Sequence, residues 1–256
     1  LTTSKDQLSA MEPSAFIDAV RTESEALIFA VGEGAMDVPV PTCEPWEVHD
    51  LAMHVGGFCG FWSHVLCEAT GRPKTPFPDP PDGDELGEWL ADRCVDLVGE
   101  FEATPPQTNV WTWFDADHTA AFVMRRSAHE IAIHRFDAQA AHGITMPVAP
   151  ELAADGIDEI LDVLVTARPR TGTGTGRAMA LRSTDLGLEW VVTIGAERID
   201  VDRSTQDASP VEGCDLVVSG TTSDLELTLY HRPTLGAVDV HGDYSVLDAW
   251  HHEFTF

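Results

Sequence analysis

The run Ala128-His-Glu-Ile-Ala-Ile-His-Arg-Phe-Asp137 concentrates side chains able to hold a cation or move a proton. Glu130 and His134 are spaced i,i+4. On a helix turning about 100° per residue they lie roughly 40° apart on one face, so both can address one ion from inside a bundle. His129 falls about 140° from His134, so the run reads H-E-x-x-x-H rather than the zinc-protease H-E-x-x-H. A third ligand has to come from another helix. His54, in Trp46-Glu-Val-His-Asp-Leu-Ala-Met-His54-Val-Gly-Gly57, falls on an apolar stripe with Leu51, Val55 and Phe58, and Gly56 and Gly57 beside it permit close helix approach. A Glu/His pair at this spacing also serves as a surface pair, and an inward histidine as a satisfied core residue. Spacing alone leaves those readings open. Asp137, i+3 from His134, is placed either to orient an imidazole as its acceptor or to pair at the helix surface. His64 and Cys67, farther along the His54 helix, read as packing residues, and His49 faces elsewhere.

These residues need elements to position them, and the hydrophobic periodicity supplies two kinds. Helical spacing starts at Pro13 with Phe16, Ala19, Val20, Leu27 and Ala30, and stops at Gly32 and Gly34. After a proline-bearing loop, a second helix runs from about Trp46 to Thr70-Gly71. Prolines at 73, 76, 78, 80 and 81 require an extended connection. A third helix is expected over residues 84–101 and a fourth over 119–141, which together suggest a four-helix bundle. A short helix over 150–167 follows. The Gly-Thr repeat within residues 168–177 invites a phosphate-loop reading, but it lacks both the G-x-G-x-x-G spacing and a Gly-Lys-Ser/Thr ending, so a flexible connection is preferred. Beyond it the pattern alternates: strands over 178–182, 189–194, 198–201 and 215–219, a helix over 223–230, a strand over 237–241 and a last helix over 244–250. The architecture changes near Met146-Pro147, giving a helical domain over 1–146 and a small α+β domain over 147–256.

With 15 Lys and Arg against 43 Asp and Glu, the formal net charge is −28. Phosphate backbones are repelled by such a chain, which excludes nucleic acid as the main partner. No window approaches the roughly 18–20 apolar residues of a membrane span. The five cysteines are odd in number, irregularly spaced and without a C-x-x-C pair, so they read as reduced thiols. Together with the lack of a basic, apolar leader before the first helix, this leads to the expectation of a cytoplasmic protein.

Three segments resemble a known family. They are Pro45-Trp46-x-x-x-Asp50-Leu-x-x-His54-x-Gly56, His129-Glu-x-x-x-His-Arg-x-Asp137, and Ser183-Thr-Asp185-x-Gly-x-x-Trp190 followed by Gly220-Thr-x-Ser-Asp-Leu. They are similar to the mycothiol-dependent maleylpyruvate isomerase family, and the likeness spans residues 14–250. The resemblance implies a DinB-like four-helix metal-binding domain followed by a sterol-carrier-like α+β domain. It further implies a divalent metal, with zinc the first expectation, held by His54, Glu130 and His134. Two histidines and one carboxylate leave coordination positions open, as in a catalytic site. The family's catalytic arginine, which reaches toward the active site from the second domain, aligns with Arg232. Here the preceding pair is Tyr230-His231 in place of a Trp-Gly-like one. An arginine fork suits a substrate carboxylate, while a surface pairing with one of the many acids is the plain alternative.

The resemblance also implies a reaction: mycothiol, as thiol cosubstrate, adds to a conjugated double bond of a small unsaturated acid, the single bond so formed rotates, and the thiol leaves. A coordinating thiol is deprotonated beside a divalent cation. No cysteine of the chain is required; Cys59, about 140° around its helix from His54, reads as packed. Two alternatives share the scaffold. In an S-transferase the thiolate stays on its electrophile, and in a non-catalytic binder or regulator the second domain holds a ligand.

Overall fold

The computed structural model describes residues 11–68, 71–72, 80–81, 83–167, 176–206 and 213–254. Most of the proline-rich connection, and the Gly-Thr repeat up to residue 175, lie outside the described residues. The chain divides into two compact units, one Met11–Met146 and the other containing Pro147 onward.

The first unit is built from four helices: α1 (Pro13–Gly32), α2 (Val48–Glu68), α3 (Leu86–Ala103) and α4 (Ala120–Ala141). Helix α1 packs on α4 and α2 on α3, with further contacts of α1 with α3 and α2 with α4. Pro13 opens α1, where its fixed φ and missing N–H cost nothing. The start of α2 is set by Asp50, whose Oδ2 accepts the Glu47 N–H at 3.0 Å. Thr119 caps α4 by accepting the Phe122 N–H, and is itself held by Asp117. Helix α4 is buried nearly all round, and Arg126, His129, His134, Arg135 and Asp137 are buried with its apolar residues. One of these charges is matched across the bundle, Arg135 Nε donating to Glu23 of α1 at 2.7 Å.

The second unit opens with α5 (Pro150–Glu159), which continues as a π-helical turn over Ile160–Leu164. Strands β1 (Arg177–Ser183), β2 (Leu188–Ile194), β3 (Ile199–Thr205), β4 (Leu216–Gly220) and β5 (Asp239–Gly242) form one mixed sheet in the order β3-β2-β1-β4-β5. Only β1 and β4 are parallel; the other pairs are antiparallel. Helix α6 (Thr222–Leu229) packs against β1, β4 and α5, and α7 (Ser245–Glu253) against β1. The family-like segments of this unit meet at one knot. The Asp185 Oδ1 accepts from the Ser183 hydroxyl, the Leu186 N–H and both the N–H and hydroxyl of Thr222, tying the β1–β2 turn to the start of α6. Trp190 and Arg203 both donate to Asp158 of α5, fixing that helix to the sheet. Four helices followed by a small mixed sheet with helices is the architecture expected from the periodicities. No helix among the described residues is long and apolar enough to cross a membrane.

Candidate metal centre

His54 projects from α2, and Glu130 and His134 from adjacent turns of α4. The His54 Nε2 lies 2.9 Å from Glu130 Oε1, and the His134 Nε2 lies 3.6 Å from the same oxygen. The ligating atoms of all three residues fall within 4.8 Å of one another. Exposure grades across the cluster, from 37% for the His54 side chain through 19% for Glu130 to 10% for His134, so the site is reached from the His54 side. Beside it an open depression of about 500 Å³ is lined by Pro45, Trp46, Asp50, Met53 and His54. The Trp46 ring lies 5.0 Å from the His54 ring and 6.1 Å from that of His134.

Both α4 residues of the cluster are held from behind. The His134 Nδ1 is 3.0 Å from Asp137 Oδ2, and the Cys43 thiol donates to the same oxygen at 3.1 Å. Asp137 is fully buried, so its carboxylate favours the N–H tautomer at Nδ1 and leaves Nε2 to face Glu130 and His54. Arg126, one turn before Glu130, donates from Nη2 to Oε2 at 2.7 Å. Burial acts to raise the Glu130 carboxyl; Arg126, then hydrogen bonds with His134 and His54, overcome it and hold the group well below the usual carboxylate range. Burial acts in the opposite sense on His134, and the Asp137 and Cys43 partners followed by Glu130 hold its imidazole well above its ordinary value. Two imidazoles and one carboxylate, with the second polar atoms of His134 and Glu130 tied down, are a donor set that fits a divalent cation. Cys43, His134 and Asp137 also lie close enough to share an ion, but the thiol and the imidazole both point at one carboxylate oxygen, which makes this group a support for His134.

The structure brings together the three residues expected as ligands, and it places Asp137 behind His134. Arg126 and Cys43 were missed. The i,i+4 rule that paired Glu130 with His134 also pairs Arg126 with Glu130, whereas Cys43 reaches Asp137 from a distant loop and no spacing announces it. His49 lies beside Asp50 and His64 near Glu68, and neither is among the residues of the cluster. Cys59 meets Cys94 between α2 and α3, the sulfurs 3.8 Å apart as free thiols. That contact, then burial, holds the Cys59 thiol well above its ordinary value. Glu100 pushes Cys67 up to about 11, so neither thiol is prepared as a nucleophile.

Arg232 belongs to the second unit. It follows α6 in a helix-ending motif: its N–H bonds to the Leu227 carbonyl at 2.8 Å and the His231 N–H to Thr228 at 3.1 Å. His231 occupies the left-handed position of that motif, φ 58°, where glycine is the usual residue. Its ring stacks on His251 at 4.0 Å. The Arg232 Nη1 donates to the Tyr230 carbonyl at 3.0 Å.

Residues 17–139 match the family described as the mycothiol maleylpyruvate isomerase N-terminal domain. Among solved structures, a mycothiol-dependent maleylpyruvate isomerase superposes with a TM-score of 0.60 at 15% identity, covering 90% of this chain and 93% of the other. A histidine-to-alanine mutant of a mycothiol-dependent maleylpyruvate isomerase gives 0.59 at 14% identity with the same coverage. No curated protein matches the sequence.

Proposed function

We propose that this chain, whose residues 17–139 match the family described as the mycothiol maleylpyruvate isomerase N-terminal domain, is a metal- and thiol-dependent enzyme that converts a small unsaturated acid from its cis to its trans form. The observation that carries this reading is the convergence of His54, Glu130 and His134 from two helices at the edge of an open depression. A divalent metal bound there, zinc being the first candidate, supplies a Lewis acid that lowers the pKa of a coordinating thiol.

The chain's own residues do the rest. Asp137 holds His134 in the tautomer that presents Nε2, and Arg126 fixes the Glu130 carboxylate. Trp46 and Met53 give the depression apolar walls beside His54. The thiolate of mycothiol adds to the conjugated double bond of the substrate and places the electron pair on the conjugated carbonyl. Rotation about the new single bond follows, and return of the electron pair expels the thiolate. No atom is gained or lost, and the thiol is regenerated. By the family resemblance alone, Arg232 is offered as the residue for a substrate carboxylate, which a planar guanidinium fork can grip through two hydrogen bonds. A thiol-dependent reaction of this kind belongs in the reducing cytoplasm.

The test is metal analysis of the zinc-reconstituted protein beside Glu130→Ala and His134→Ala, followed by incubation with maleylpyruvate with and without mycothiol. The expected result is one equivalent of zinc in the parent protein, loss of it in both variants, and isomerisation that needs mycothiol but does not consume it. Failure to retain zinc sinks the reading. Stoichiometric loss of thiol would assign S-transfer instead.

A further inference from the structure

We propose that Arg126 is a positioning residue that keeps Glu130 a one-oxygen ligand and so holds a coordination position open for the thiol; the inference rests on the metal reading above. Its basis is the way the two carboxylate oxygens are divided. Oε1 faces the imidazoles, 2.9 Å from His54 Nε2 and 3.6 Å from His134 Nε2. Oε2 faces the other way and accepts from Arg126 Nη2 at 2.7 Å. The division is built into α4, because residues four apart on a helix lie on one face and Arg126, Glu130 and His134 follow one another at that interval.

Burial makes the arrangement firm. The Arg126 side chain is 5% exposed, and a guanidinium taken out of water has to keep its hydrogen-bonded anion. A carboxylate chelates an ion only by turning both oxygens toward it. Here that turn breaks a buried, charge-assisted hydrogen bond, so one-oxygen ligation is favoured and a site of two imidazoles and one oxygen retains room for an exogenous ligand. The guanidinium also opposes a nearby cation. Arg126 therefore lowers affinity for the ion while preserving affinity for the thiol, and a residue that merely braced Glu130 would raise both together.

That difference in sign is measurable with cobalt(II) in place of zinc and 2-mercaptoethanol as the thiol probe, using the full chain. The parent protein is expected to take up cobalt and to develop a sulfur-to-cobalt charge-transfer band on titration with thiol. Arg126→Met is expected to bind cobalt at least as tightly, to show a weaker visible absorption as the coordination number rises, and to bind thiol about tenfold more weakly, the lower end of what removing a supporting partner does. Arg126→Lys keeps the charge and a donor, and its thiol affinity should lie between the two. It carries the test if the methionine variant does not fold. Parental thiol affinity and spectrum in Arg126→Met would overturn the proposal, as would loss of cobalt from both folded variants, which would make Arg126 a brace. A parent protein that takes up no cobalt would overturn the metal reading itself and this inference with it.

Discussion

The two nitrogens of His134 have separate tasks, and that decides which single changes matter. Nε2 faces Glu130 at 3.6 Å while Nδ1 is held by Asp137 at 3.0 Å. Asp137→Asn keeps the shape and removes the charge that fixes the tautomer. Zinc affinity measured by chelator competition should fall about 10–100-fold with the fold intact, the usual cost of losing such a partner; unchanged affinity would leave Asp137 a packing residue. The juxtaposition of His54, Glu130 and His134 was suggested by helical spacing and an apolar stripe, which are local properties of the sequence, and only the family resemblance named the three as a set. Their supports were less legible. Arg126, Arg135 and Asp137 are charged residues buried in α4, and a reading that equates burial with apolar positions places them at the surface. Arg126 and Asp137 pair within α4, at i,i+4 and i,i+3, whereas Arg135 is buried against Glu23 of α1, a partner that no window along the chain contains.

At the scale of elements, the approach of α2 to α3 rests on one glycine of the Gly56-Gly57 pair. A Cβ at Gly56 would lie 2.1 Å from a ring carbon of Trp89, whereas one at Gly57 would meet nothing within 4 Å. Gly56→Ala should therefore destabilise the protein by about 1–3 kcal/mol, as overpacking does, and Gly57→Ala should stabilise it by up to about 1 kcal/mol through helix propensity. Urea titrations of the two variants check the opposite signs, and equal effects would remove Gly56 from the packing argument. In the second unit the knot at Asp185 ties β1, β2 and α6. Burial acts to raise its carboxyl, and the hydroxyls of Thr222 and Ser183 with the Thr222 N–H bring it below the usual range. The depressed value means that Asp185 stabilises the fold above its unfolded pKa of about 3.9 and loses that contribution as pH falls through the folded value. Asp185→Asn should be less stable than the parent by about 1 kcal/mol at pH 7, the order of a lost cap, with the gap closing as the pH falls through the depressed folded value; a gap independent of pH would contradict the assignment. The strands were legible where alternation is strong and not where it is weak. Strand β3 continues to Thr205 although the apolar residues stop at Val201, because backbone pairing with β2 needs no apolar side chain. The helix expected to continue to residue 167 instead ends in the π-helical turn at Leu164, a local change in hydrogen bonding that periodicity does not encode.

For the molecule as a whole, the change from helical spacing to alternation announced two architectures, helices followed by a small mixed sheet with helices, and the chain forms two compact units. The parallel pairing of β1 with β4 was not legible, since it joins strands separated by two others in sequence. The division has a thermodynamic consequence, because all three proposed ligands lie in the unit Met11–Met146. A ligand that binds only the folded form stabilises what it binds, by about 2.7 kcal/mol when free metal is 100 times its Kd. That gain belongs to the helices that supply the donors. Hydrogen exchange with and without zinc should therefore show slower exchange of α2 and α4 amides in the metal-loaded protein, while amides of β1, β2 and β4 exchange at the same rate in both. Glu130→Ala should abolish the difference. Equal slowing in both units would show that they open as one cooperative body, and slowing confined to the sheet would place the metal elsewhere. The acidic surface offers the competing explanation: with a net charge of −28, any divalent cation reduces self-repulsion. Magnesium at the same concentration separates the two effects, since a general screening ion protects both units and survives Glu130→Ala, whereas an ion held by His54, Glu130 and His134 does neither.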